Sequence, residues 1–424
     1  MSYFVKILLL PSLIFSLTLA LAGESAADDL YLQSQDIPDA MSPDTMAREA
    51  LLDTLYYNYE KWIPAFKQEI SLFESRPQTL ETQLQLMKYY FYYGGLLVEF
   101  SHTLVTTRKY KVPELETEHI AYLNKAKHAA RAVLKSGELS RQQEADAYFC
   151  LGAAEGYLGI LEYGVGNYVS AFTNGFQADG HLEKSLQINP NLMDVNLGLG
   201  VYRYATSRVG GLGNLIMQWG RDRRHDGILL IEKTLQAKTL TMPLTYKTLI
   251  WFYISEQINP LNINLPPDNP LSVSASRKHA VELMTEMESL YFKAPPSPDF
   301  IGSKDLALMK AIQNALDNNY TSAREEFEKV ITISTYLRDK KKYKINPKLI
   351  RTAEMGVAFS EVFMSSAQDR AHHDPSLCAK IKRQIAFIDG GESIVEPESK
   401  GVRREMQNIF YHKLVDLYHH MGCQ

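Results

Sequence analysis

The chain has 424 residues, of which 45% are hydrophobic and 22% are charged, and its formal net charge is −4. This length is sufficient for more than one ordinary domain or for one extended solenoid. Because binding to phosphates requires concentrated positive charge, the composition gives no reason to expect a nucleic-acid partner.

The first residues have the pattern of a secretory signal peptide. Lys6 supplies the positive charge, Ile7–Leu19 the apolar core, and Ala20-Leu21-Ala22 a cleavage site of small residues. Ser25-Ala26-Ala27 is a second possible cleavage site. We therefore expect residues 1–22 to be removed and the mature chain to be exported, to the periplasm if bacterial and secreted if eukaryotic. No later stretch reaches the roughly 18 apolar residues of a membrane span, so none is expected in the mature chain.

Residues 43–137 are predicted to form N-terminal helices. Apolar residues recur there every three to four positions, the period of an amphipathic helix: Leu55, Tyr59, Trp62, Phe66, Ile70 and Phe73. The segment Tyr89–Tyr93 places aromatic rings all round one helix. Core packing of these rings is favoured over the lining of a ligand site. No stretch of the chain alternates apolar and polar residues as a half-buried strand would.

Four landmarks recur in the same order in the middle of the chain. They are Leu151-Gly152 and Leu199-Gly200, the Gly-x-Gly-Asn elements from Gly164 and Gly211, Asp179-Gly180 and Asp226-Gly227, and the similar hexapeptides from Leu182 and Ile231. The members of each pair are 47 to 49 residues apart. Four matches in one order indicate a repeated structural unit.

The repeated unit has the two halves of a tetratricopeptide helix pair. That pattern places an aromatic residue and Leu-Gly on the first helix and Ala-x3-Phe on the second. The matches are Tyr148-x2-Leu151-Gly152 with Ala178-x3-Leu182, Leu199-Gly200 with Gly227-x3-Ile231, Tyr246-x2-Leu249 with Ala280-x3-Met284, and Ala323-x3-Phe327. The chain thus resembles the tetratricopeptide-repeat (TPR) family over roughly residues 80–370. It is an elaborated variant, since its units recur well beyond the usual length of about 34 residues.

The resemblance implies an all-α fold, a right-handed α-solenoid of TPR-like helix pairs with helical caps at both ends. The repeats with their inter-helix insertions are expected over residues 138–372, and a C-terminal capping region over residues 373–424. Stacked helix pairs form a curved solenoid with a groove, so the resemblance implies a scaffold that binds a protein or peptide.

The residues in excess of the usual repeat are expected between the two helices of each unit. They correspond to Tyr163–Ala178, Ala205–Asp226 and Gln257–Ala275. Insertions at one point of a stacked repeat emerge along one edge, often the binding edge. We therefore expect this edge to supply part of the partner surface, with Ile263 and Leu265 of the third insertion among the partner-binding residues.

The Gly-x-Gly-Asn elements suggest either a phosphate loop or a helix start. No predicted strand precedes them and no Walker lysine follows, so a turn with Asn167 and Asn214 as helix N-caps is favoured.

A cluster of basic residues precedes the second helix of the second unit. Arg221, Arg223 and Arg224 alternate there with acidic residues. Arginine binds carboxylates with two parallel hydrogen bonds, so this segment could receive an acidic partner, but mixed charges more often join the helix to its own chain. With Tyr202 and Tyr204 on the preceding helix, the three arginines complete the candidate partner-binding set.

Three cysteines are too few for a disulfide framework. Cys150 lies in an apolar helical pattern and is expected in the core, whereas a Cys378–Cys423 bridge is one possibility in an oxidising compartment. His412, Asp416, His419 and Cys423 share a face of the last helix. A polar outer face is favoured over a zinc or copper site, and no metal is predicted.

The sequence contains none of the common catalytic signatures, such as His-Glu-x-x-His, Gly-x-Ser-x-Gly or a Walker loop. We therefore expect no enzyme activity and no cofactor. The predicted function is an exported TPR-like scaffold for a protein or peptide. The alternative is a helical small-molecule or lipid carrier, such as an accessory of a transport system, that uses the tyrosine-rich interior. A buried carboxylate–histidine cluster would favour an enzyme.

Overall fold

The fold is all-α, as predicted. The computed structural model describes residues 41–104, 113–137, 139–164, 167–209, 221–237, 239–258, 260, 265–267, 269–295, 299–343, 345, 347–368, 375–389 and 410–423. Within these ranges the regular secondary structure is helical and contains no strand.

The described chain contains the following α-helices: α1 (Pro43–Leu55), α2 (Trp62–Glu74), α3 (Leu80–Leu104), α4 (Pro113–Lys135), α5 (Arg141–Gly164), α6 (Tyr168–Ile188), α7 (Val195–Val209), α8 (Arg224–Gln236), α9 (Met242–Ile258), α10 (Val273–Met287), α11 (Lys304–Leu316), α12 (Tyr320–Asp339), α13 (Pro347–Gln368), α14 (Pro375–Asp389) and α15 (His412–His420). A short 3-10 helix covers Tyr59–Lys61, and a π-helical turn covers Glu288–Phe292.

The helices form two compact units. Of the described residues, the first unit contains those within 41–103, 113–249 and 294–295, and the second contains residue 104 and those within 250–293 and 299–423. Serine side chains begin helices in both units. Ser42, Ser272 and Ser303 each accept a hydrogen bond from a backbone N–H in the first turn of the following helix, α1, α10 or α11. These bonds satisfy donors that a helix start otherwise leaves unpaired.

In the first unit, α5 and α6 lie unusually close together because small residues face each other. A Cβ added to Gly152 would lie 2.9 Å from Leu182 Cγ and 3.0 Å from the carbonyl oxygen of Ala178. About two helical turns further along α5, a Cβ at Gly159 would lie 3.3 Å from the carbonyl oxygen of Ala171. The Leu-Gly landmark of α5 is therefore the point at which the matched residues of α6 make contact.

The second matched pair of helices, α7 and α8, is packed in the same way. A Cβ on Gly200 would lie 2.5 Å from both the Gly227 carbonyl oxygen and Ile231 Cγ1. A Cβ on Gly227 would lie 2.6 Å from the Gly200 carbonyl oxygen. In both copies of the sequence repeat, the Leu-Gly landmark on the first helix contacts the matched residues of the second helix. This shared contact accounts for the constant spacing of the landmarks.

The first of the three expected insertions is not a loop. Helix α6 already begins at Tyr168, so most of Tyr163–Ala178 belongs to it. The close contact between α5 and α6 continues along the extra turns, so these residues lengthen the helix instead of leaving it. Of the second insertion, residues 210–220 lie outside the described residues. The third contains a non-helical connection between α9 and α10, of which residues 260, 265–267 and 269–272 are described.

Asn167 occupies the expected N-cap position of α6, but its side chain does not cap the helix. The side-chain amide donates instead to Glu162 Oε2 at 2.7 Å, while the backbone carbonyl of Asn167 accepts from Ala171 N at 3.0 Å. A hydrogen bond to a carboxylate is stronger than one between neutral groups, which accounts for the difference. Asn214 lies outside the described residues.

The tyrosine-rich segment of α3 is core, as favoured. Tyr89, Tyr92 and Tyr93 are at most 1% exposed. Their hydroxyls donate to groups of the same chain, respectively the carbonyl oxygen of Met41, Asp44 Oδ1 and Glu118 Oε1. Buried hydroxyls that are satisfied in this way fix the packing of α3 against α1 and α4.

A partly buried lysine joins three helices of the first unit. Lys88 Nζ on α3 lies 3.1 Å from a carboxylate oxygen of Asp44 on α1 and 3.1 Å from one of Asp146 on α5. Burial opposes the charge on Lys88, but the two carboxylates outweigh it and raise the pKa of the ammonium. Cys150, one turn beyond Asp146, is a buried free thiol whose pKa is raised by burial. Its expected place in the core is confirmed.

In the second unit, the last helix closes over an aromatic core. The ring of Phe410 lies 4.2 Å from that of Phe359 on α13 and 6.3 Å from that of Phe327 on α12. Lys413 Nζ on α15 donates to the Ala315 carbonyl oxygen at 2.8 Å and to Asn318 Oδ1 at 2.7 Å. The lysine thereby caps carbonyl groups at the end of α11, where a positive charge is favoured.

Cys378 and Cys423 are disulfide-bonded, with their Cα atoms 5.6 Å apart. The bond links α14 to the residues that follow α15. The sequence left open whether these two cysteines are bonded or free, and the structure shows them bonded.

The close crossing of α7 and α8 predicts a large effect of one methyl group. We expect Gly200→Ala to lower the free energy of unfolding by about 1–3 kcal/mol or more, because the added Cβ overlaps a backbone carbonyl that cannot easily move. Gly180→Ala is the matched control, since a Cβ at Gly180 meets no atom within 4 Å. Alanine there should stabilise α6 by about 0.5–1 kcal/mol. Urea unfolding followed by circular dichroism checks both, and equal effects would contradict the close crossing.

Candidate functional site

The predicted partner-binding residues are distributed over both units. Tyr202 and Tyr204 lie on α7, and Arg221, Arg223 and Arg224 lie immediately before or at the start of α8, all in the first unit. Leu265 is half-buried in the connection between α9 and α10, in the second unit. Ile263 lies outside the described residues. The structure thus groups the α7 and α8 residues only.

Two members of that group are buried in their own fold. Arg224 is 2% exposed, and its Nε and Nη2 donate to the two carboxylate oxygens of Asp222 at 2.7–3.1 Å. Tyr204 is 1% exposed and its backbone faces Gly227 at the α7–α8 crossing. These positions support the intramolecular interpretation for Arg224 and a core role for Tyr204.

Tyr202 and Arg223, two other predicted partner-binding residues of this group, lie beside charged residues for which the sequence predicted no role. Tyr202 rests against α6, with its Cε2 3.3 Å from where a Cβ of Gly175 would be. We use the name α6–α7 polar cluster for five residues that α6, α7 and the start of α8 bring together: Asp179, Glu183, Tyr202, Arg203 and Arg223. Arg221 is exposed at the edge of the described chain.

Part of this cluster is conventionally paired. Arg203 Nη2 donates to Glu183 Oε1 at 2.7 Å, which ties α7 to α6. Arg223 N donates to Ser207 Oγ at 2.8 Å, and its guanidinium Nε lies 3.6 Å from Asp226 Oδ2. These contacts hold the three helices in register.

Three polar atoms of the cluster are buried without a hydrogen-bond partner among the described residues. They are Asp179 Oδ1, the Tyr202 hydroxyl and Arg203 Nε. Such a group costs about 1–3 kcal/mol when its hydrogen bond is not made. The cluster therefore contains an acceptor, a donor and a hydroxyl that a bound group could satisfy once the side chains move apart.

The electrostatics of Asp179 reflect this environment. Burial, followed by the nearby Glu183 carboxylate, raises the pKa of Asp179 to about 6, although Arg203 and Arg223 act in the opposite direction. Burial and the Asp179 carboxylate also raise the pKa of Tyr202. At neutral pH the ionised Asp179 is consequently a destabilising group in the folded protein.

An exposed apolar face of α6 adjoins the cluster. Val169 is 78% exposed and Phe176 63% exposed, and Phe172 between them is half-buried. These three residues share a helical face with Asp179 and Glu183, because they are separated by three, four, three and four positions. The chain carries no charge between Glu162 and Asp179. Large apolar side chains exposed together on an uncharged stretch of helix are typical of interaction surfaces.

A second cluster surrounds Glu155, a fully buried carboxylate on α5. Arg131 Nη2 on α4 donates to Glu155 Oε1 at 2.9 Å, and His181 Nδ1 on α6 lies 2.7 Å from Glu155 Oε2. Lys127 Nζ on α4 lies 3.8 Å from Oε1. Tyr148 stacks on the His181 ring. This is the kind of carboxylate–histidine pair that we would expect in an enzyme, but no hydroxyl or thiol of the described residues is hydrogen-bonded to His181.

The sequence contained a signal for two of the residues that were not predicted, Asp179 and Glu155. Asp179 belongs to the repeated Asp-Gly landmark, so its position was noted without a role. Glu155 follows Leu151 by four positions and therefore places a charge on the apolar face of α5, where charges are rare unless they are paired.

The metal-competent face of the last helix is altered by the disulfide, since Cys423 provides no thiolate. Across the described ranges, no group of three or more His, Cys, Asp or Glu side chains is arranged to hold a metal ion. None of the helices in the described part of the chain is long and apolar enough to cross a membrane.

No family model matches the chain, and no match was found to a curated protein or to a solved structure.

The raised pKa of Asp179 predicts a pH-dependent gain from Asp179→Asn. Because the folded pKa is above the usual value of 3.8, the wild-type protein loses stability as pH rises from about 4 through about 6. The variant lacks this loss. One pKa unit corresponds to about 1.4 kcal/mol, so a rise from 3.8 to about 6 makes the variant more stable at pH 7.5 by on the order of 3 kcal/mol and nearly equal to the wild type at pH 4.

Asp299→Asn is the matched control, since Asp299 is exposed and forms no ion pair with any described residue. Thermal unfolding of the three proteins at pH 4 and pH 7.5 makes the comparison. A gain from Asp179→Asn that is the same at both pH values would show that its carboxyl is not the titrating group.

Proposed function

We propose that this protein is an exported, TPR-like binding protein that holds a protein or peptide segment against α6 and α7. The single observation that carries the proposal is the exposed α6 face. Val169 and Phe176 lie in solvent there, directly beside buried polar atoms of the α6–α7 polar cluster that lack hydrogen-bond partners.

The packing of the helix pairs supports the TPR-like description. The residues that carry the resemblance, Gly152 with Leu182 and Gly200 with Ile231, touch each other in the two successive pairs. The resemblance favours a right-handed α-solenoid with helical caps as the finer description of the all-α fold. The signal-like pattern of residues 1–22 supports export.

The α6 face has the composition that protein recognition requires. Apolar and aromatic side chains provide most of the favourable free energy when a partner removes them from water. Asp179, Tyr202 and Arg203 add polar atoms that a peptide backbone or polar side chain can satisfy, and unmade hydrogen bonds of this kind discriminate strongly between partners. Affinity and selectivity thus have separate sources on adjacent turns of one helix.

The alternatives have less support. A carrier that uses the tyrosine-rich interior would need free hydroxyls or space there, whereas Tyr89, Tyr92 and Tyr93 are buried and bonded to their own chain. An enzyme would need a hydroxyl or thiol hydrogen-bonded to His181, whereas among the described residues the His181 ring is bonded to the Glu155 carboxylate and stacked on Tyr148. We therefore propose binding without catalysis and without a cofactor.

The proposal predicts that one charge on the α6 face abolishes partner binding. The mature protein, immobilised through an affinity tag, would be used to capture proteins from the exported fraction of its source, with identification by mass spectrometry. The amount of partner captured by Val169→Asp should be lower than the wild-type amount by at least about tenfold, because the new charge must be desolvated in the interface. Circular dichroism should be unchanged, since Val169 packs little in the free protein.

Val281→Asp is the matched control, because Val281 is also an exposed valine on a helix, α10 of the second unit. It should capture the partner at the wild-type level. If Val169→Asp captures as much as Val281→Asp, the α6 face is not the binding surface.

A further inference from the structure

The short contacts of the Glu155 carboxylate are made with two partners other than Lys127. Glu155 lies on α5 and is completely buried. Its Oε1 accepts from Arg131 Nη2 at 2.9 Å, and its Oε2 lies 2.7 Å from His181 Nδ1. The arginine and the histidine therefore have the short contacts to both oxygens.

The Lys127 ammonium has only weak contacts with acceptors that could compensate its positive charge. Its side chain is 13% exposed, and its Nζ lies 3.8 Å from Glu155 Oε1, beyond hydrogen-bonding distance. The ammonium donates one long hydrogen bond, 3.3 Å to Asn174 Oδ1 on α6, although it has three donors. No other described residue accepts from it. Burial lowers the pKa of Lys127 in spite of the attraction to Glu155, and the neighbouring Arg131 adds to this effect.

The charges of the cluster do not balance. Lys127 and Arg131 contribute two permanent positive charges, and Glu155 is the one carboxylate of the described residues that pairs with either. A nearly buried cation is stable only when an anion or hydrogen bonds replace its hydration. The half-exposed Arg131 and His181 leave a route from solvent to this excess of positive charge.

We propose that Lys127 and Arg131 form a binding site for a small oxyanion, a phosphate or carboxylate group, between α4 and α6. Both cationic nitrogens lie within 4 Å of the same Glu155 oxygen, so one bound group can reach both. The guanidinium presents a planar pair of donors to such a group, and the ammonium presents a compact charge. The Asn174 amide and the His181 ring border the site. This proposal does not depend on the binding surface of the α6 face.

The test uses isothermal titration calorimetry of the full mature chain with inorganic phosphate and, separately, with acetate, at constant ionic strength set with chloride. We expect saturable binding of at least one of the two, which identifies the chemical group. Lys127→Met should weaken that binding by about tenfold or more, because it removes a charge-assisted hydrogen bond. Arg131→Gln, a change at a half-exposed side chain, should also weaken it and provides a second variant if Lys127→Met folds poorly.

Lys184→Met is the matched control. Lys184 is exposed on α6 and forms no ion pair with any described residue, so its loss changes the net charge equally without changing the site. It should bind the oxyanion as the wild-type chain does. Binding of neither phosphate nor acetate would overturn the proposal, as would equal affinities of the Lys184→Met variant and both site variants.

Discussion

The first unit depends on how closely its helices approach through glycine. Gly152 on α5 and the Gly200–Gly227 pair on α7 and α8 bring backbone against backbone, at distances that leave no room for a Cβ. Close crossings bury whatever lies beside them, including polar side chains. Glu155 lies about one turn from Gly152 on α5, so its carboxylate is buried beside the crossing of α5 with α6 and needs partners from its own chain.

Helix α6 carries two opposite kinds of chemistry on opposite faces. Asn174 and His181 face the Glu155 cluster, where Lys127 is a donor with too few acceptors. Asp179, on the other side, has an acceptor without a donor. Because α6 separates the two groups, neither can compensate the other inside the folded chain. Each therefore depends on solvent or on a bound group for its missing contacts.

The sequence was sufficient for the all-α fold and for the places where helices cross, because Gly, Leu and Ala recur at fixed spacing in Leu151-Gly152 and Ala178-x3-Leu182. It was insufficient for the length of α6. In the sequence, residues in excess of the usual repeat length fit a loop as well as extra helical turns. In the structure they extend α6, which packs against α5 at Gly159. The site was harder still. Arg224 and Arg223 look alike in sequence, but burial against Asp222 separates their roles. Glu155 and Lys127 become neighbours only through tertiary packing.

The Cys378–Cys423 bond has a topological consequence for the second unit. It closes a covalent ring with a sequence separation of 45 residues, which includes all of α15. A protease that cuts the backbone once anywhere inside that ring separates no fragment from the molecule. The last helix would stay attached through sulfur, and its lysine contact with α11 could re-form after each excursion. In an oxidising compartment, a single cleavage inside the ring therefore does not release the last helix, whereas a single cleavage followed by reduction of the disulfide does.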